Sequence, residues 1–394
     1  MRRPLRASAP GTPVRPVSGL GVGVLVGGAV LAAAGWYLGW VELAVVGLTL
    51  LVTLLLAVLL TTGRSTYAVR LDLSDHRITV GQRAVGRLVV TNTSTRRLLP
   101  AQIELPVGQG AADFPLPSLA GGASHEDVFA IPTTRRAVVV VGPVRSVRGD
   151  PLGLLRRRVV WTDPLELYVH PQTVGLGGAA SGVLRDLEGQ ATRVLSDSDM
   201  SFHALRDYVA GDDRRHIHWK TSARIGELMV RQFEDTRRTH TAVALSTAPA
   251  DYSSADDFEL AVSVAASIGV QALRDERDLT VLAGEGPLRT ETPARLLDDV
   301  SALELGQGEG AARLAQWVVR EAVDASAVIL VTGTTVSRAE ARAQATRIPV
   351  GIRTVALSCV VGAGVEVQTQ GSLSVAQVGS LDDLPRLMRR LVGT

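Results

Sequence analysis

Residues 18 to 63 carry one charged side chain, Glu42, and this stretch limits what the rest of the chain can become. It divides at Tyr37-Leu38-Gly39-Trp40 into Ser18 to Trp40 and Val41 to Gly63. Each half has 23 residues, so as a helix each measures roughly 34 Å, enough for a hydrocarbon core of about 30 Å. One continuous helix would overshoot that core about twofold, so the stretch predicts a transmembrane hairpin. Trp36, Tyr37 and Trp40 suit an interface at its turn, where a ring sits in apolar surroundings and its polar atom reaches water. Arg2, Arg3, Arg6 and Arg15 precede the first span, and Arg64 and Arg70 follow the second. The excess of bases outside the turn places both termini in the cytoplasm of a two-span membrane protein. A cleaved signal peptide needs one short apolar core and a small-residue cleavage site, which two full-length spans do not fit. Gly23 with Gly27, and Gly35 with Gly39, offer places where the two helices can approach closely.

After the hairpin the hydrophobic period changes. Tyr67 to Leu73 alternates as a half-exposed strand does, and Arg87 to Asn92, Gln102 to Pro106, Val128 to Pro132 and Arg136 to Gly142 continue the series. Asn92, Gly108, Gly110, Gly121 and Gly122 mark turns. Short strands with little helical periodicity predict a β-sandwich of about seven strands over 64–172. Asp150-Pro151-Leu152-Gly153-Leu154 is a compact turn into a base-rich strand, Arg156-Arg157-Arg158-Val159-Val160. Those bases suit anionic lipid or an acidic partner, although an edge strand kept soluble by charge is the simpler account.

Composition narrows the remainder. A net charge of +2 is too small to imply nucleic acid, and no basic cluster is interleaved with aromatics. The single cysteine, Cys359, excludes an intrachain disulfide and a thiolate metal cluster. It lies in an apolar run, Thr354 to Val361, and reads as a small buried hydrophobe rather than a reactive thiol.

The most polar stretch follows a glycine-rich link at 175–180, inside a linking region that spans 173–235. Asp197, Asp199, His203, Arg206 and Asp207 precede Gly211-Asp212-Asp213-Arg214-Arg215-His216-Ile217-His218-Trp219. Ser201 to Tyr208 reads as a short helix, Gly211-Asp212 as a turn, and Leu228 to Glu234 as a strand. In Ile217-His218-Trp219, alternation places Ile217 and Trp219 on one face as apolar anchors. Three chemistries fit these residue types. His203, His216 and His218 with an acid are competent metal ligands, but alternation sends His216 and His218 to opposite faces. Asp212 with either histidine suits acid–base work, yet no nucleophile is identified, since Ser222 is not activated by proximity in sequence. Arg206, Arg215 and Arg224 can instead fork onto Asp207, Asp212 or Asp213, locking a crossing loop as a polar clamp. The spacing favours the clamp, and no catalytic residue is assigned.

This run resembles the hallmark of the DUF58 family of bacterial membrane proteins, Arg-x-Tyr-x-x-Gly-Asp-x-x-Arg-x-Ile-x-Trp-x-x-Ser/Thr-Ala-Arg. It matches at Arg206, Tyr208, Gly211, Asp212, Arg215, Ile217, Trp219, Ser222, Ala223 and Arg224. Asp150 to Leu154 and His170-Pro171 are similar to two further landmarks of that family. The resemblance implies paired membrane helices, a β-rich region, the polar run, and a final α/β domain similar to von Willebrand factor type A domains. It implies a membrane-associated protein of uncharacterised function in the lipid bilayer. The genes of relatives often lie near MoxR-type AAA ATPases and transglutaminase-like membrane proteins, which points to a scaffold with a protein partner rather than an enzyme. The alternative is a hydrolase or metal-dependent enzyme built on the Asp and His residues around Asp212.

The final module, 236–394, supports the α/β expectation from its own pattern. Strands at Thr241 to Leu245, Leu279 to Leu282, Ala327 to Val331, Arg353 to Val360 and Val365 to Gln368 alternate with helices. The helices read at 256–276, 293–303, 311–323, 337–345 and 381–391. Apolar strands alternating with helices predict a mostly parallel sheet covered on both faces. Ligands of such sheets sit beyond the carboxyl ends of the strands. Type A domains open there with Asp-x-Ser-x-Ser, whose oxygens help hold a divalent cation. Here the first strand leads into Ser246-Thr247-Ala248-Pro249-Ala250. Ser246 stands for the aspartate and Ala248 and Ala250 for the hydroxyls, so neither a metal nor another cofactor is expected. Asp251, Asp256 and Asp257 read as exposed acids favoured by a helix N-terminus. Val331-Thr332-Gly333-Thr334-Thr335 lacks the lysine of a phosphate loop.

Overall fold

A computed structural model of the chain describes residues 18–61, 67–150, 152–177, 201–209, 212–234 and 240–392. They fall into two units that meet in sequence at His170 and Pro171.

In the first unit the apolar stretch forms α1 (Gly19–Leu38) and α2 (Val41–Thr61). Both are long and apolar enough to cross a membrane. The break falls where the sequence places it. Gly39 closes α1 with φ 71°, and its amide donates to the Gly35 carbonyl, a backbone turn that suits a residue lacking Cβ. The glycines that bring the helices together are not the expected pairs. Gly28, Gly35 and Gly47 make the close approach: a Cβ at Gly35 would run into the Ala44 backbone, and one at Gly47 into Ala32. Gly23, Gly27 and Gly39 have open space around them. The reason is geometric: Gly28 and Gly35 are seven residues apart, so they fall on one stripe of α1 facing α2.

Among the described residues ten strands follow, rather than the expected seven or so. They are β1 (Tyr67–Leu73), β2 (Arg77–Thr79), β3 (Arg83–Asn92), β4 (Ala101–Val107), β5 (Gly110–Leu116), β6 (Ser124–Pro132), β7 (Ala137–Val141), β8 (Arg145–Gly149), β9 (Arg156–Val160) and β10 (Leu165–His170). β1, β3 and β6 form an antiparallel sheet. The others form a second sheet in the order β2-β10-β7-β4-β8-β9, with β5 on β4. Short strands such as β2 merge with loops in a sequence reading, which accounts for the low count. Alternate residues of both sheets, among them Leu88, Val90, Ile103, Leu105, Leu167 and Val169, enclose one core. Trp161 crosses it, edge-on to Tyr67 at 5.5 Å between centroids, and its indole N–H donates to Ser146 Oγ at 2.8 Å. The base-rich β9 is an edge strand, as its charge suggests.

In the second unit β11 (Ser201–Asp207) and β12 (Met229–Glu234) pair antiparallel. Between them lies α3 (Trp219–Ile225). Thus Ser201 to Asp207 is a strand and not the helix read from the sequence; pairing with β12 overrides a local pattern that also fits a helix turn. The α/β body contains β13 (His240–Leu245), α4 (Ala255–Arg274), β14 (Asp278–Ala283), β15 (Gly286–Pro287), α5 (Pro293–Ala302), α6 (Ala311–Glu321), β16 (Ala327–Thr332), α7 (Arg338–Ala345), β17 (Arg353–Cys359), β18 (Glu366–Gln370), β19 (Leu373–Val378) and α8 (Leu384–Val392). The sheet order is β15-β14-β13-β16-β17-β19-β18. β14, β13, β16, β17 and β19 are parallel, and the two edge strands are antiparallel. Alternation along β13 sends Val243 and Leu245 into one core with Phe258, Leu296 and Leu387, and Ala242 and Ala244 into another with Leu314 and Trp317. The two faces are therefore covered by different helices, as a near-continuous apolar strand requires. Cys359 ends β17, fully buried, and burial pushes its thiol well above the ordinary range.

Candidate functional site

Two places were candidates for chemistry: the polar run, and the loops at the carboxyl end of the parallel strands. In the first, Asp212 is held by Arg206. Nη1 donates to Oδ2 and Nη2 to Oδ1, each at 2.7 Å, and the Val209 amide adds a bond to Oδ2 at 2.9 Å. This fork, and the backbone bond from the Asp212 amide to the Val209 carbonyl, close a turn at the end of β11. The guanidinium, followed by the Val209 amide, holds the Asp212 carboxyl below its usual range. Arg206 is 39% exposed and Asp212 19%. Of the expected arginine–aspartate pairings, the fork of Arg206 onto Asp212 forms, as a half-exposed pair and not a buried one.

The remaining motif residues divide between scaffold and surface. Ile217 is buried and bridges Val230 of β12. His218 caps α3: its Nδ1 accepts from the Thr221 amide at 3.2 Å and lies 2.7 Å from Thr221 Oγ1. Ser222, buried, donates to the His218 carbonyl at 3.1 Å and accepts from the Met229 amide at 2.9 Å, tying α3 to β12. Tyr208 donates its amide to the Leu228 carbonyl, and Gly211 lies outside the described residues. Arg215 is 90% exposed and reaches Asp213 at 4.0 Å; Ala223 and Arg224 are exposed. Neither arginine joins Asp212. Trp219 is also not the anchor expected beside Ile217. It opens α3 instead of continuing a strand, and it is 65% exposed. His203 sits at the bulge of β11, His216 in a short 3-10 turn, and His218 in the cap. Among the described residues no three His, Cys, Asp or Glu side chains are grouped as cation ligands.

At the second place a carboxylate of the chain itself enters the crevice beside β13. The sheet order reverses between β13 and β16, which marks the crevice where doubly wound folds bind ligands. Ser246 and Thr247, both fully buried, leave β13 there. Asp251, in a turn at Pro249–Asp251, fills the space. Its Oδ2 accepts from Ser246 Oγ and from the Ala311 amide, the latter at 2.7 Å. That amide begins α6, whose N-cap is Gly310 and brings no side-chain acceptor. The protein's own carboxylate thus sits where a helix N-terminus favours an anion. Asp257 is likewise inside the fold, not an exposed acid: it is buried beside Val361, whose amide donates to it at 2.8 Å, and Ser253, whose hydroxyl donates at 2.7 Å. Burial works against its charge, but these bonds and those of Ser254 outweigh it and hold the carboxyl below its usual range. Sequence reasoning missed both roles. Ser254-x-x-Asp257 was the available sign of a helix start, because the Asp257 amide donates to the Ser254 hydroxyl.

A family model described as "Protein of unknown function DUF58" matches residues 204–296, which include the end of β11, α3, β12 and the first part of the α/β body. An uncharacterised protein of Bacillus subtilis (strain 168), YeaD, is 30% identical over 126 residues, 32% of this chain. The chain spans 30% of the length of that relative. Among solved structures, the CARDB domain of the Pyrococcus furiosus PF1109 protein aligns with 27% of the chain and 88% of its own length, at 9% identity and a TM-score of 0.20. The C-terminal domain of wzt aligns with 28% of the chain and 77% of its own length, at 10% identity and a TM-score of 0.22.

Proposed function

We propose that this chain is a membrane-anchored protein-interaction module, a scaffold that presents the segment from Val209 to Leu228 to a partner. The observation that carries this reading is the exposure of Trp219. Indoles are enriched at binding hot spots, and a chain gains nothing in its own stability from an uncovered one. Val209, Ile225 and Leu228 are exposed in the same segment, and so are Arg214, Arg215, Lys220 and Arg224. A partner surface with acidic groups around an apolar pocket matches that mixture. A MoxR-type AAA ATPase or a transglutaminase-like membrane protein is the class of partner we favour. We further read the α/β body as a type A-like domain without its cation. The parallel core and the position of Ser246 support that assignment, and Asp251 occupies the crevice that a cation would share.

The hydrolase reading receives less support. Both oxygens of Asp212 are taken by Arg206 and Val209, and His218 is committed to its cap. A base needs a lone pair aimed at substrate. We place the anchor in the cell membrane with both termini cytoplasmic, on the strength of the arginines flanking the two helices. The test is co-purification of the full chain from its own membranes in mild detergent. The native chain is expected to bring a partner that the Trp219→Ala chain does not. A chain that purifies alone, or a partner indifferent to Trp219→Ala, contradicts the proposal.

A further inference from the structure

We infer that the β8–β9 hairpin is a second membrane contact, one that binds the anionic phosphodiester headgroups of the bilayer; this rests on the reading of α1 and α2 as membrane spans. The hairpin tip is fixed to the mouth of α1. Ser18, the N-cap of that helix, donates its hydroxyl to the Leu154 carbonyl at 2.8 Å and its amide to the same oxygen at 3.1 Å. At the other side α2 touches β8. α1 has 20 residues, a rise of about 30 Å, which matches the hydrocarbon thickness and puts Ser18 at its boundary. Leu154 is therefore held at that boundary too.

Asp150 ties the tip together. Asp150 Oδ1 accepts from the Leu155 amide at 2.6 Å and Oδ2 from the Leu152 amide at 3.0 Å, while the Asp150 carbonyl takes the Gly153 amide. This turn leaves Leu152 61% exposed beside the helix mouth, where an apolar side chain meets acyl chains rather than water. Arginines follow at once. β9 begins at Arg156, two residues from Leu154, and Arg157 and Arg158 continue it; Arg148 stands opposite Arg157 and Arg145 opposite Val160. Two residues of extended chain cover about 7 Å, comparable to the depth of a headgroup layer. Val159 and Trp161 hold the core-facing register of the strand, which leaves Arg158 on the outer register. Arg158 carries one partner there, Glu104 at 3.8 Å, with the arginine 43% exposed. Bases at this depth meet the negative potential of anionic lipids, and guanidinium forks suit phosphate.

The test uses the full chain in lipid nanodiscs. Leu152→Cys carries a fluorophore, which the fully buried Cys359 does not compete for; a second chain carries the label at Leu25→Cys in α1. Bromine-labelled phosphatidylcholine or phosphatidylglycerol serves as quencher. The inference expects quenching at 152 by both, several-fold stronger with phosphatidylglycerol. That preference falls roughly fivefold, to near parity, in Arg158→Gln and is kept in Arg158→Lys. Quenching at 25 but not at 152 overturns the inference and leaves the anchor standing, as does equal quenching by the two lipids at 152. No quenching at either position overturns the anchor and the inference together.

Discussion

Asp212 receives both outer nitrogens of Arg206 and the amide of Val209, so its ionised form is favoured in the folded chain. A carboxyl whose folded value is depressed contributes stability that is complete above its unfolded value and is lost as pH falls through the folded one. Carbon NMR of the Asp212 carboxyl should therefore show a midpoint below that of an ordinary aspartate, and Arg206→Gln should move it back up. A midpoint unchanged by Arg206→Gln would contradict the pairing. Asp257 obeys the same sign for different reasons. Its amide and hydroxyl donors are internal, so acid should loosen the α/β body below about pH 4. Asp257→Asn should flatten that acid limb in a denaturation series. At this scale the motif was legible in part. The fork of Arg206 onto Asp212 follows from residue type and spacing. The exposure of Trp219 does not, because an indole after an isoleucine reads equally as core or as surface until β12 supplies the register.

Among the elements, the helix pair and the Asp251 turn carry the clearest consequences. Gly35→Leu places a side chain against the backbone of Ala44, and overpacking of this kind costs about 1–3 kcal/mol. The full chain in detergent should lose thermal stability, while Gly23→Leu, with open space around it, should not. Equal effects at the two glycines would show that the helices meet elsewhere. Asp251→Ala leaves the buried Ser246 hydroxyl and the Ala311 amide without their acceptor, a loss of about 1–3 kcal/mol in urea unfolding of the full chain. Most elements were readable. Strong apolar periodicity set the helices and four of the five parallel strands, and the hairpin break follows from length against bilayer thickness; β19 was missed, because Ser374 and Gln377 interrupt its apolar run. β11 was not readable either, because Ser201 to Asp207 contains no alternation strong enough to exclude a helix, and its state is decided by β12, more than twenty residues away. Asp251 and Asp257 were read as surface acids for a related reason: proximity to a helix start explains an acid on either side of the surface, and only Ser246, the start of α6 and the loop after β17 decide which.

The molecule as a whole joins an apolar hairpin, three enclosed cores and one segment that leaves most of its large apolar side chains uncovered. The cores explain themselves: the sandwich strands alternate, helices cover both faces of the parallel sheet, and Ser246 and Asp251 at its crevice find partners inside the chain. The segment from Val209 to Leu228 does not, since its ion pair and cap stabilise it while Trp219 stays outside. The most direct measurement is site-specific photo-crosslinking in living cells, with a photoreactive residue in place of Trp219 and a control in place of Val350, which is fully exposed elsewhere in the same unit. The account predicts a discrete protein adduct from position 219, absent from position 350 and lost when Arg215 and Arg224 are replaced by glutamate. No adduct at 219, or the same adducts from both positions, would contradict it.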